Sequence, residues 1–348
     1  MEATDGVMRA AVLYAPGDLR AEMVPLPAFG PGEVLLEVAA CGVCGSDLDR
    51  ALRKGSHRVP LILGHEFSGR VRQVGAGVDA GWIGALVTVP PLIPCRQCPS
   101  CVGGEFGLCT NYSYFGSRVD GAYASFVTVP EGNLLRVPDT MDPRLAAMAD
   151  PAAIALHAIW RCGARIGDSV AVAGAGPIGL LAMQLAQILG ASRVIALDIV
   201  PEKLELATKL GATGVFTTAD EALAAHPDGF DVVIETTGVN AGEEAAVRLA
   251  GRHGRVGFIG IPNAPVTFSA KAFDQILRYE ITLSGSWNSF SAPFPGAEWT
   301  TVVDLFASGK LRGIELVTDE VGVDEVPALL PRLADRSEFH LKALVFPK

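Results

Sequence analysis

Four cysteines, Cys95, Cys98, Cys101 and Cys109, lie within "PCRQCPSCVGGEFGLC" at the spacing C-x2-C-x2-C-x7-C. Two-residue gaps let successive thiolates converge on one ion, and four thiolates close a tetrahedral shell around zinc. A closed shell leaves no position for substrate, so a zinc held here stabilises a loop and does no chemistry. An iron–sulfur cluster uses similar spacing, and four unrelated thiols are the remaining alternative. A disulfide knot is disfavoured by the odd total of seven cysteines and by the reducing compartment expected below.

A second set has different chemistry. Cys44 in "CGVCGSD" and His65 with Glu66 in "LILGHEFSG" offer one thiolate, one imidazole and one carboxylate. Catalytic zinc keeps three protein ligands and an open position for water or substrate. A histidine beside a glutamate is unremarkable alone; a cofactor motif elsewhere in the chain gives it weight.

That motif is "GAGPIG", Gly174-x-Gly176-x-x-Gly179, between an apolar strand and a helix that begins with Pro177 and Ile178. The first glycine permits a tight turn, the second lets backbone approach a pyrophosphate, and the third lets helix pack on strand. The helix N-terminus then faces the phosphates with unpaired N–H groups. Asp198 ends the next apolar strand, where an acid binds a ribose 2′-hydroxyl and repels a 2′-phosphate. NAD is therefore expected over NADP. Lys203 is placed to support the adenosine ribose, with a solvated helix lysine as the alternative. Thr237 in "ETTG" and Gly260 in "GFIGIP" follow later strands, at the edge where such sheets hold ligands.

The elements that must position these groups divide the chain. At 348 residues, two domains are the natural expectation. Residues 1–150 carry short β-like runs such as "EVLLEVAA", "EFSGRVRQVG", "ALVTVPPL" and "AYASFVTVP", which read as an irregular β-rich domain. Residues 151–287 alternate apolar strands with helices, among them Pro177–Leu189, Pro201–Leu210 and Ala241–Ala250. That rhythm predicts a doubly wound parallel sheet covered on both faces, an α/β Rossmann domain. Residues 288–348 hold a helix near Glu298–Ala307 and a terminal strand "KALVF". They are too short for their own core and should complete the first domain.

Composition narrows the function. Hydrophobic residues make up 49% and charged residues 19%, which suits a well-buried globular protein. A net charge of −10 disfavours nucleic acid, which needs a basic face. Residues 178–189 are broken by Gln184 and Gln187 and fall short of the roughly 20 apolar residues that span a bilayer. No leader run follows the acidic Met1–Asp5, so no membrane partner and a cytoplasmic location are expected.

"GHEFSGRVRQVGAGV" matches the signature GHE-x2-G-x5-[GA]-x2-V throughout, and the chain resembles the zinc-dependent medium-chain alcohol dehydrogenases over essentially its whole length. "CGSDL", "GSRVDGAYASF", "ILRYEITLSGSW" and "PFPGAEW" resemble the polyol branch of that family. The resemblance implies a GroES-like catalytic domain, and two zinc ions with NAD as cofactors. It implies Cys44 rather than Cys41 as the catalytic thiolate, His65 as the imidazole ligand and Glu66 as an adjacent carboxylate. The family's Glu-Pro pair before the dinucleotide domain is Asp150-Pro151 here. Asp150 is thus a further metal candidate, directly or through water, although an N-cap with Pro151 at N1 is equally good chemistry. Ser46 fits the family's hydroxyl that accepts the substrate proton; Asp49 stands where a relay histidine is common. The expected activity is hydride transfer between NAD and a secondary alcohol of a polyol or polyol phosphate. An unphosphorylated polyol, an amino alcohol and a non-catalytic zinc- and NAD-binding protein are the alternatives. The basic run "RKGSHR" with Lys54, together with Arg118, would counter a substrate phosphate, unless this is only a solvated charged loop. Trp287 and Asn288 would line a polyol channel. A homodimer or homotetramer is implied, with "ITLSGS" as an edge strand open to pairing.

Overall fold

The computed structural model describes residues 6–335 and 337–347. They divide into two compact units, one holding the described residues up to Asp150, Phe290–Ala307 and those from Gly313 onward, the other Pro151–Ser289 and Ser308–Arg312.

The first unit is built on a seven-stranded sheet whose central strands are Glu33–Gly42 and Glu66–Val74, paired antiparallel. Their apolar positions alternate into a core with Val34, Leu36, Val38, Phe67 and Val71. Register matters most at the end of this pair. Gly42 sits opposite Glu66 and Cys41 opposite Phe67, so Cys44 and His65, just beyond the paired ends, emerge side by side. The terminal strand Lys342–Phe346 pairs with the other edge of Glu33–Gly42, Leu344 opposite Gly42. Three segments far apart in sequence thus meet at one sheet end.

Gly64 is required by this corner. It has φ of +91°, and a Cβ there would lie 2.6 Å from the Tyr123 ring and 2.8 Å from the Cys41 sulfur. Beside the sheet, Val7–Ala15 and Asp18–Pro25 form an antiparallel hairpin. The sequence patterning does not single these strands out, because Ala10 to Leu13 are all buried and the alternation is lost.

The second unit holds six parallel strands in the order Gly214–Phe216, Arg193–Leu197, Ser169–Ala173, Phe230–Glu235, Ala250–Phe258 and Thr282–Gly285. The strand order reverses direction between Ser169–Ala173 and Phe230–Glu235, the switch point at which such sheets take ligands. Helices Pro177–Ile188, Pro201–Lys209 and Asn240–Leu249 lie within a residue of their predicted spans. Two further helices, Ala219–Ala225 and Ala270–Arg278, complete the crossovers. The doubly wound α/β expectation holds. No helix among the described residues is long and apolar enough to cross a membrane.

Candidate metal and cofactor sites

Cys44 is the N-cap of the short helix Gly45–Asp49. Glu66 opens the facing strand and His65 immediately precedes it, 3% and 4% exposed. Their ligand atoms and the Cys44 sulfur all lie within 4.8 Å of one another. Sheet register and helix cap therefore bring together the three groups singled out in the sequence.

Asp47 organises this corner from behind. It is fully buried; Oδ2 accepts from the Cys44 N–H at 3.1 Å and the Tyr123 hydroxyl at 2.9 Å. Oδ1 faces His65 Nδ1 at 3.3 Å and Arg50 at 3.7 Å. Burial alone would raise the Asp47 pKa, but His65, Arg50 and the Cys44 N–H outweigh it and hold the carboxyl below its usual range. A carboxylate on the far nitrogen of an imidazole fixes the ring and leaves Nε2 for a metal. Lys342, 2% exposed, pairs with Glu66 Oε2 and donates to the Val43 carbonyl at 3.1 Å. Neither Asp47 nor Lys342 stands out in the sequence reading. The only available signal for Asp47 was its place in "CGSD"; Lys342 is 276 positions from Glu66.

Asp150 stands outside the three-residue group. It lies in the first turn of helix Ala149–Arg161 rather than capping it, so the N-cap alternative does not hold. It is 2% exposed, and Oδ1 has no hydrogen-bond partner among the described residues. Burial above all, with Glu66 adding, pushes it up to about 7. A buried orphan carboxylate beside a thiolate, an imidazole and a second carboxylate is a donor set suited to zinc.

Ser46 Oγ accepts a hydrogen bond from Arg50 at 2.8 Å. Asp49 is tied to Arg53 at 3.3 Å and Lys54 at 2.8 Å. Lys54 thus has a carboxylate of its own, whereas Arg118 stacks over Tyr112, 4.6 Å from the ring centroid. Trp287 is half exposed, and Asn288 follows it with φ of +56°, both in the second unit.

The four-cysteine loop also converges, all sulfurs within 4.8 Å. Cys95–Cys101 and Cys98–Cys109 are each 3.9 Å apart, near the edge of a tetrahedron of roughly 2.3 Å zinc–sulfur bonds and far beyond a disulfide. All seven cysteines are free. Backbone N–H groups of Cys101 and Thr110 pull Cys98 down to about 6, while burial pushes Cys101 up to about 12.

In the second unit, Gly174 has φ of +99°, a Cβ on Gly179 would lie 1.9 Å from the Gly174 carbonyl, and Gly176 opens onto free space. That is the division of labour a pyrophosphate turn needs. Pro177 and Ile178 start the helix, with Gly176 as its cap. Asp198 accepts from the Ala175 and Val200 N–H groups at 2.8 and 3.0 Å, with Lys203 at 3.4 Å. Thr237 donates its N–H to Glu235 at 2.6 Å, and Gly260 bonds the Glu235 carbonyl at 3.3 Å. Glu235 is fully buried, its Oε2 has no hydrogen-bond partner among the described residues, and burial raises its pKa.

The family described as "Alcohol dehydrogenase GroES-like domain" matches residues 30–139, and "Zinc-binding dehydrogenase" matches residues 177–308. Galactitol 1-phosphate 5-dehydrogenase of Escherichia coli (strain K12) is 36% identical over 314 residues, 88% of each chain. The crystal structure of galactitol-1-phosphate dehydrogenase from Escherichia coli superposes with a TM-score of 0.92 at 34% identity, covering 98% of this chain and all of that one. A Sinorhizobium meliloti 1021 structure described as a zinc-binding dehydrogenase bound to NADP gives 0.91 at 32% identity, covering 98% and 99%.

Proposed function

The chain belongs to the zinc-binding alcohol dehydrogenases with a GroES-like domain, oxidoreductases acting on CH–OH groups, and from that premise we propose that it oxidises a polyol phosphate resembling galactitol 1-phosphate with NAD. The observation that carries the reading is the convergence of Cys44, His65 and Glu66 at one sheet end, in a chain that also carries a dinucleotide turn. Cys44, His65 and Glu66 would hold zinc there, which would supply Lewis acidity to a substrate hydroxyl, and the Gly174–Gly179 turn would hold NAD, which would supply the hydride acceptor.

The chain's own groups do the rest. Asp47 faces the far side of the His65 ring, and the Lys342 ammonium pairs with Glu66 in the buried site. Ser46 Oγ would accept the hydroxyl proton of the substrate while passing its own hydroxyl proton on to solvent, its direction set by the Arg50 hydrogen bond. Asp49, at the position where a relay histidine is common, is paired with Arg53 and Lys54. Asp150 contributes a carboxylate behind the three ligands, through water or directly. Cys95, Cys98, Cys101 and Cys109 hold a second zinc that stabilises their loop. Asp198 favours NAD by repelling a 2′-phosphate, in contrast to the NADP-bound neighbour.

We read the protein as cytoplasmic and as a homodimer or homotetramer. Thr282–Gly285 is an edge strand, and the adjacent helix exposes Phe273 and Leu277; a monomer by light scattering would overturn that reading.

The test is NADH formation across paired phosphorylated and free polyols, with NAD and NADP. Galactitol 1-phosphate with NAD is expected to give the highest kcat/KM. A preference for free sorbitol or threonine would replace the substrate assignment, and no turnover on any alcohol would remove the function.

A further inference from the structure

The chemistry above gives His57 and Arg118 no task and uses only one of the Arg50 donors, the one on Ser46. Arg50 reaches Ser46 from its own helix, with a side chain 23% exposed. The segment carrying His57 is stitched to the one carrying Arg118. Ser56 Oγ donates to the Ser117 carbonyl at 2.9 Å, and Arg58 Nε to the Arg118 carbonyl at 3.2 Å. Arg118 lies over Tyr112, Tyr112 meets Tyr114 edge-on at 6.4 Å, and Tyr114 is 5.7 Å from the His65 ring. Arg118 is thereby joined through two tyrosines to the wall of the metal site. His57 feels both arginines: partial burial first, then Arg118 and Arg50, hold its pKa below the ordinary value.

Neighbouring cations are already neutralised. Arg53 and Lys54 share Asp49, and Arg58 faces Asp120 at 2.8 Å. Arg118 has no carboxylate within ion-pair distance among the described residues, and its Nε is buried without a hydrogen-bond partner. Arg50 has only the buried Asp47 at 3.7 Å, which it shares with His65. Converging cations repel one another. In a chain of net charge −10, the absence of an acid for Arg118 points to an anion brought by the ligand.

We propose that Arg50, His57 and Arg118 form an anion subsite that takes the phosphate of a phosphorylated alcohol while the hydroxyl at its other end reacts beside Ser46. The reacting end rests on the dehydrogenase reading; the anion subsite does not. Guanidinium forks suit phosphate because they offer paired N–H donors, and Arg50 retains donors beyond the one given to Ser46. Relative to the sequence expectation, this subsite pairs Arg118 with Arg50 and His57, while Lys54 is bonded to Asp49.

The experiment is calorimetric titration of inorganic phosphate into protein saturated with zinc and NADH, so that the dinucleotide turn is filled. Saturable binding is expected in the wild type. Arg118→Met should weaken it about tenfold, the loss of a charged hydrogen-bonded contact. His57→Gln, at an exposed position that does not threaten folding, should weaken it roughly two- to threefold. Arg53→Met serves as a charge control and should stay within about twofold. No saturable binding, or equal losses in Arg53→Met and Arg118→Met, would overturn the subsite. Phosphate binding with the expected pattern, but no NADH from any alcohol, would leave the subsite standing and sink the dehydrogenase reading. Oxidation of free polyols by a protein that ignores phosphate would do the reverse.

Discussion

Replacing Cys44 with alanine is expected to lower kcat/KM by roughly 10³-fold or more, while zinc falls from two ions per chain to one. Cys44 is the only thiolate in its group, and His65 and Glu66 are left to hold a metal with two ligands. Lewis-acid stabilisation of a developing alkoxide is worth several kcal/mol, and each 1.36 kcal/mol is a tenfold change in rate. The backbone should survive, because the N-cap N–H of residue 44 still reaches Asp47. Ser46→Ala provides the contrast. It removes the proton acceptor without touching a ligand, so turnover should fall roughly 10²-fold with both ions retained. Parallel assays of rate and metal content separate the two; equal zinc content in wild type and Cys44→Ala would remove Cys44 from the metal.

Lys342→Met is expected to destabilise the zinc-free protein by about 3–5 kcal/mol, the cost of leaving a buried charge unpaired. Lys342 and Glu66 are 2% and 3% exposed, and Asp47 and Asp150 are buried close by. Burial by itself lowers the Lys342 pKa, but Glu66, Cys44 and Asp150 more than offset this and raise it. Three carboxylates and a thiolate therefore depend on this ammonium, on His65 and Arg50, and on the metal. Denaturant unfolding should show a lower midpoint at unchanged slope. Adding Glu66→Gln should recover part of the loss, because the orphaned charge is then gone. An unchanged midpoint in Lys342→Met would show that the pair does not carry the corner.

The parts of the fold and site that can be read from sequence are those with local determinants. Gly174, Gly176 and Gly179 declare their role within six residues, and the structure gives each a geometric reason: a positive φ, an open face, a 1.9 Å approach. The βαβ rhythm of residues 169–258 is equally local, because Ser169–Ala173, Arg193–Leu197 and Phe230–Glu235 are largely buried apolar runs and a helix follows each within a few residues. Helix Ala219–Ala225 had a readable start in Thr218 and Glu221, a capping box that the periodicity alone does not reveal.

What could not be read depends on register and on distant pairing. The Gly42–Glu66 register that joins the metal ligands is set by two strands whose loops are long and irregular. Lys342 belongs to a strand that returns from the far end of the chain. Lys54 reads in "RKGSHR" as a counter-charge for a substrate phosphate, and the pairing with Asp49 five residues earlier emerges only from the helix that joins them. Arg50 carried no signal of its own, since only the helix brings position 50 back onto Ser46.

The central claim is that oxidation runs at the Cys44–His65–Glu66 centre and not at the four-cysteine loop. The most direct measurement follows the initial rate of NADH formation against zinc remaining per chain as a chelator strips the protein. A three-ligand site open to solvent exchanges before a closed four-thiolate shell. The rate should therefore reach zero while about one zinc per chain remains, and added zinc should restore it. An undiminished rate at one zinc per chain would contradict the account.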